Sequence, residues 1–146
     1  MELGIYTAGL LRLAAEASGA GRLAERDASA DILNPTCGDR ITVDARVAAD
    51  RIAALGYEVH ACVLTQASAS LLGRHAAGHS AAEIREIAAQ VEAMLRVGSE
   101  LPAGSWADYA VFAPVRAHKS RHECVMLPLR ALLAALAAGG AKDRGS

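Results

Sequence analysis

The chain has 146 residues, enough for one domain with a proper core, and is 53% hydrophobic with 15 basic and 16 acidic side chains, a net charge of -1. No basic excess marks a nucleic-acid or anionic-membrane surface, and at 3% aromatic content base-stacking platforms are not expected. No segment reads as a transmembrane span, the start with Glu2 lacks the basic region of a signal peptide, and the three cysteines are an odd number; reduced thiols in a cytoplasmic protein, doing metal or sulfur chemistry, are expected rather than a disulfide framework.

In chain order, Leu10, Leu11, Leu13 and Ala14 predict a helix over Ile5 to Ala17, stopped by Gly19 and Gly21. Arg22 to Asp27 is polar, a loop or the start of a strand, and Ala28 to Leu33 alternates weakly enough to suit an edge strand. Ile41, Val43, Ala45 and Val47 alternate with Thr42, Asp44 and Arg46, the period of a strand with one buried and one wet face. Ala48-Ala49-Asp50 turns the chain, and Arg51 to Ala61 returns as the partner strand. Its apolar positions change parity across Leu55-Gly56, which a bulge at Gly56 would explain.

Leu64 to Ala77 predicts a helix started by Thr65 and ended at Gly78, whose small residues Ala67, Ser68, Ala69 and Ser70 allow close backbone approach. Ser80 and Glu83 form a capping-box pattern ahead of Ile84, Ile87, Ala88, Val91 and Leu95, and Gly98 closes that helix. After a loop with Pro102, Trp106 to Val115 predicts a turn or two of helix. Cys124 opens the last helix, with Val125, Leu129, Leu132, Leu133 and Leu136 on its face and Pro128 in its first turns or kinking it; residues 139–146 are expected to fray. The predicted architecture is a single α+β domain, 1–146, with a small three-stranded antiparallel sheet packed against about five helices.

Chemistry concentrates at Asn34-Pro35-Thr36-Cys37-Gly38-Asp39, where a Pro/Gly-framed turn can aim a thiol and a carboxylate at one point. Cys62 and Cys124 each stand at a junction between predicted elements. Three thiolates suit zinc or iron–sulfur centres, and with Asp39 they make four ligands; the harder carboxylate suggests a site that exchanges its contents rather than a closed structural one. Taken singly, Cys62 and Cys124 read as small buried hydrophobes, whereas the Cys37 turn is poor core material. Of the five histidines, His60 and His122 precede cysteines by two residues but read better as solvated side chains, and His75 and His79 border a helix end that favours cations. His118, Lys119 and Arg121 are either a solvated loop or a basic run that lowers the Cys124 pKa, with equal weight.

These residues resemble the U-type iron–sulfur cluster assembly proteins: the IscU scaffold, the NifU N-terminal domain and SufU. The resemblance rests on Asn34 to Asp39, on His60-Ala61-Cys62 with Gln66 to Ser70, and on Arg121-His122-Glu123-Cys124 with Leu127 and Ala131-Leu132. Cys62 follows Cys37 by 25 residues (62 − 37) and Cys124 follows Cys62 by 62 (124 − 62), a long second interval closer to the SufU branch. The resemblance implies the SufE/IscU-type fold. It implies Cys37, Cys62 and Cys124 as metal, cluster or sulfur-accepting residues, with Asp39 as accessory ligand. It also implies a cysteine desulfurase as sulfur donor and downstream carrier or recipient proteins as partners. Two positions depart from the pattern: Ala61 replaces a frequent Gly, and Glu123 stands where IscU proteins carry His and SufU proteins a basic residue. The expected function is a non-enzymatic scaffold holding iron or a 2Fe–2S cluster, with Cys37 as possible sulfur acceptor. A zinc-dependent sulfurtransferase ranks second and a structural zinc domain third.

Overall fold

The computed structural model describes residues 3–34, 38–101 and 104–144; the cysteine expected at the turn, Cys37, lies outside the described residues, as do Pro35, Thr36 and Pro102. The architecture is α+β, as expected. Strands β1 (Ala28–Asn34), β2 (Asp39–Ala48) and β3 (Arg51–His60) form an antiparallel sheet in that order. The α-helices are α1 (Ala8–Glu16), α2 (Val63–His75), α3 (Ala81–Val97) and α4 (His122–Arg144), with a long 3₁₀-helix at Ser105–Ala117 as the fifth substantial helix.

Ile41, Val43 and Ala45 point from the central strand into the core and are fully buried, with Tyr57 opposite Val43 on the same face. Ala49 and Asp50, at φ 52 and 64, form the two-residue turn whose left-handed conformation matches strand twist. The parity switch in β3 has a different origin from the one expected. The register shifts between Arg46↔Ala54 and Val47↔Ile52, so the extra residue is Ala53, while Gly56 pairs regularly with Asp44. Glycine is required at 56 for another reason: a Cβ there would run into the Gly21 carbonyl and lie 3.1 Å from Leu23.

That contact marks the loop after α1, which crosses the back of the sheet and buries Asp44, a residue expected on a wet face. Asp44 has 0% exposure. It accepts from Arg22 Nε (2.6 Å) and Nη2 (3.0 Å), Leu23 N (3.1 Å), Arg26 Nη1 (3.3 Å) and Ser29 Oγ (2.7 Å). Helix α1 is stopped not by Gly19 but by Ala17, which takes the left-handed conformation at φ 46.

Helix α2 packs its small face against α1 and α4, and Ser68, Ala69 and Ser70 are all buried. The approach to α1 is so close that a Cβ on Gly73 would be driven into the Ser18 carbonyl. Helix α3 has the complete capping box, Ser80 Oγ accepting from Glu83 N (3.2 Å) and Glu83 Oε1 from Ser80 N (2.9 Å). The 3₁₀-helix is longer than the turn or two expected because Trp106, Tyr109, Phe112 and Val115 recur every third residue, stacking all four buried side chains on one face of a three-residue-per-turn helix.

Helix α4 lies across β1 and β2 and along α2 and α3. The segment Lys119–Gly139 reaches the length and apolarity of a membrane span, but 61% of its 18-residue apolar window is buried inside the fold, as in the core helix of a globular domain. Gly139 is buried, with a Cβ there 2.8 Å from Ala28 Cβ, and α4 continues to Arg144.

Candidate metal centre

Three elements begin at one end of the sheet and bring three side chains together. Asp39 is the first residue of β2, Cys62 is the N-cap of α2, and Cys124 lies in the first turn of α4. One carboxylate oxygen of Asp39 and the sulfurs of Cys62 and Cys124 lie within 4.8 Å of one another. Asp39 is 6% and Cys124 2% exposed, while Cys62 is half-buried and forms the side of the cluster nearer to solvent. Two thiols and a carboxylate within the span of a single cation's coordination sphere are a chemically coherent donor set for zinc or iron. Among the described residues it is the one group of this kind.

Hydrogen bonds fix the cluster. Asp39 Oδ1 accepts from Cys62 N (3.3 Å), which ties the start of β2 to the start of α2. Asp39 Oδ2 accepts from the Thr65 hydroxyl (3.2 Å), and the same hydroxyl donates to the Cys124 carbonyl (2.9 Å) and lies 3.7 Å from Cys62 Sγ. Cys62 therefore stands at a helix N-terminus beside a second thiol. The hydrogen bond with Cys124 pulls its pKa down to about 6; burial and the Asp39 charge oppose this, and the Thr65 backbone and hydroxyl reinforce it. A thiol so placed is shifted toward the thiolate, the form that binds metal and attacks sulfur.

Of the four expected ligands the structure thus brings Asp39, Cys62 and Cys124 together. Cys37 is joined through one peptide bond to Gly38, whose N–H donates to the Asn34 carbonyl (2.8 Å) where Asn34 pairs with Asp39 at the same end of the sheet. Gly38 has φ 76, the conformation for which the turn needs glycine. The histidines stay out of the cluster: His60 is exposed, and His122 Nε2 lies 3.0 Å from the Arg116 carbonyl. Glu123 is committed to Arg130 through two bonds of 2.8 Å, and that pairing holds its carboxyl below the usual range. Ala61 takes no left-handed conformation, so its backbone does not demand the frequent glycine.

Thr65 is the site residue that sequence reasoning missed, having been read only as a helix start. The available signal was its place three residues after Cys62, where an N-terminal side chain turns back toward the cap.

A small α+β scaffold presenting two thiols at helix starts beside a carboxylate at a strand start defines a class of metal- or sulfur-handling proteins. The profile of the NifU-like N-terminal domain matches residues 5–136, and the chain belongs to that family. It is 26% identical over 132 residues to the iron–sulfur cluster assembly scaffold protein IscU of Thermotoga maritima, covering 90% of this chain and 92% of the relative. Among solved structures it resembles a nitrogen-fixing NifU-like protein (N-terminal) from Brucella abortus, with TM-score 0.89, 33% identity and coverage of 94% and 96% of the two chains. The SufU protein from Fervidobacterium islandicum shares the fold at TM-score 0.83 and 24% identity, covering 91% of this chain and 97% of that one.

Proposed function

We propose that the protein is an iron–sulfur cluster assembly scaffold, receiving sulfur from a cysteine desulfurase and holding iron or a nascent 2Fe–2S cluster on Cys37, Asp39, Cys62 and Cys124 before a recipient takes it. The observation that carries this reading is the convergence of Asp39, Cys62 and Cys124 within 4.8 Å, inside the fold of the NifU-like family. The name of the Thermotoga relative supports the same reading.

Sulfur transfer needs an accessible thiolate. The desulfurase presents sulfur as a cysteine persulfide. The Cys37 thiolate attacks its outer sulfur, a new S–S bond forms on Cys37, and the old S–S bond breaks to leave the desulfurase thiolate, so no external oxidant is consumed. Meanwhile Asp39, Cys62 and Cys124 hold the metal. The carboxylate is the weakest of these ligands for a soft metal and so the natural one to let go when the centre changes occupant.

The same mixed donor set also favours a second reading, a zinc-holding sulfurtransferase with the identical acceptor. Protein purified without oxygen separates the two: brown protein with visible absorption supports the scaffold, and colourless protein with stoichiometric zinc supports the transferase. The relay is tested by incubation with a desulfurase and cysteine in the absence of reductant, followed by peptide mapping of the added sulfur mass. Persulfide on Cys37 is expected. Persulfide confined to Cys62 or Cys124, or a desulfurase whose labelling and rate ignore this protein, would overturn the assignment.

A further inference from the structure

Helix α4 contains Pro128, a residue with no N–H to give the carbonyl four positions back, that of Cys124. The donor at that carbonyl is instead the Thr65 hydroxyl from α2, at 2.9 Å. The same oxygen lies 3.2 Å from Asp39 Oδ2, and Thr65 is completely buried. A hydroxyl has a single proton, so one proton faces two acceptors, both belonging to residues of the cluster. Next along, Ser68 Oγ donates to the Val125 carbonyl at 2.7 Å, so α2 and α4 are clamped at consecutive residues and the hydroxyl has little freedom to seek other partners.

We propose that Thr65 is the positioning residue of the metal centre: its one proton is shared between the Asp39 carboxylate and the Cys124 carbonyl in the metal-free chain, and passes wholly to the carbonyl when the carboxylate takes a cation. The inference rests on the reading of Asp39, Cys62 and Cys124 as metal ligands. In the metal-free chain the buried carboxylate needs a donor, because an unpaired buried charge is costly. A cation supplies that compensation itself and draws charge from the carboxylate, which weakens its bond from Thr65 and leaves the hydroxyl proton to the other acceptor. The Cys124 carbonyl, kept available by Pro128, is the waiting acceptor. The exchange requires a rotation about one bond and no movement of backbone.

The test uses the reduced, metal-free full chain titrated with cobalt(II), whose thiolate charge-transfer and ligand-field bands report which atoms coordinate. Thr65→Val removes the hydroxyl at constant shape; the metal-free carboxylate then loses its donor while the cation-bound one does not, so cobalt binding is expected to tighten by about tenfold, the scale of one hydrogen bond to a charged group. Thr65→Ser keeps the hydroxyl and should stay within about threefold of the parent. Thr65→Val that binds cobalt with the parent's affinity, or more weakly, overturns the proposal. So does Thr65→Ser that departs from the parent as far as Thr65→Val, since the methyl would then be what matters. If Thr65→Val does not fold, Pro128→Ala decides. It returns an N–H that competes for the Cys124 carbonyl and leaves the hydroxyl on Asp39, so weaker cobalt binding without loss of metal-free stability is expected, and unchanged binding overturns the role. A parent chain with no thiolate–cobalt band, or with a band that survives Cys62→Ser and Cys124→Ser, brings down the metal-centre reading itself and Thr65's role with it.

Discussion

Asp44 and Cys62 both have their ionised form favoured by the fold, one through its partners and the other through its place. Burial alone would raise the Asp44 pKa, but hydrogen bonds from Arg22, Ser29 and the Leu23 backbone outweigh it and hold the carboxyl at about 2. A carboxyl depressed on folding stabilises above its unfolded pKa, and that stability is lost as pH falls through the folded one. Asp44 should therefore contribute about 2 kcal/mol at neutral pH, lost between roughly pH 4 and 2. Urea unfolding of Asp44→Asn should show that deficit at pH 7 and a flattened slope in the acid window; equal stability at pH 7 would remove Asp44 from the account of how the loop is anchored. The same sign rule applies to Cys62, whose thiol is lowered to about 6 from 9.0. In metal-free, reduced protein the unfolded chain binds more protons between those values, so stability should rise with pH across that window, and Cys62→Ser should flatten the rise. The buried state of Asp44 was not legible in the strand's alternation, because the residues that bury it come from a loop some twenty positions earlier. The lowered thiol was not legible either, since it depends on Cys124, 62 residues away.

Among the elements, those whose signal is local were legible and those shaped by contact were not. The capping box Ser80/Glu83, the β2–β3 hairpin and the helical face of α3 lie within a few consecutive residues, and the structure has them as expected. The bulge was misplaced from Ala53 to Gly56 because a glycine in a strand can serve either a bulge or a close crossing, and only the crossing loop distinguishes them. The small face of α2, Ala67 to Ser70, was correctly read as a site of close approach, and Gly73 one turn further on also lies directly against Ser18. A methyl group there has nowhere to go, because the obstacle is backbone held by Ser18 N donating to Ser70 Oγ (3.1 Å). Gly73→Ala should therefore destabilise by about 2 kcal/mol despite its higher helix propensity, a fall in Tm of roughly 5 °C or more. A variant that melts at or above the parent temperature would mean that α1 can shift away from α2 at no cost.

At the scale of the whole molecule, the centre joins parts of the chain that contact order keeps apart. Asp39 starts the central strand, Cys62 caps α2, and Cys124 opens the core helix α4 that lies over the sheet. In the metal-free chain these starts are held by the bonds from Cys62 N and Thr65 to Asp39 and from Thr65 to Cys124. A cation bound by the same three residues adds its binding free energy to folding, since the unfolded chain offers no preformed site. At a metal concentration about a thousandfold above Kd this is about 4 kcal/mol, or a rise in Tm of roughly 10 °C for a domain of this size. Chelation of the reduced protein should lower the melting temperature by that order. It should also speed hydrogen exchange most in residues 34–39, which lead into the site through Cys37, and less at the starts of α2 and α4, which stay hydrogen-bonded to each other through Thr65. Identical melting curves before and after proven loss of metal would mean that the centre forms no cross-link between strand and helices. Uniformly faster exchange across all three segments would instead mean that the hydrogen bonds through Thr65 do not hold the helix starts once the metal has left.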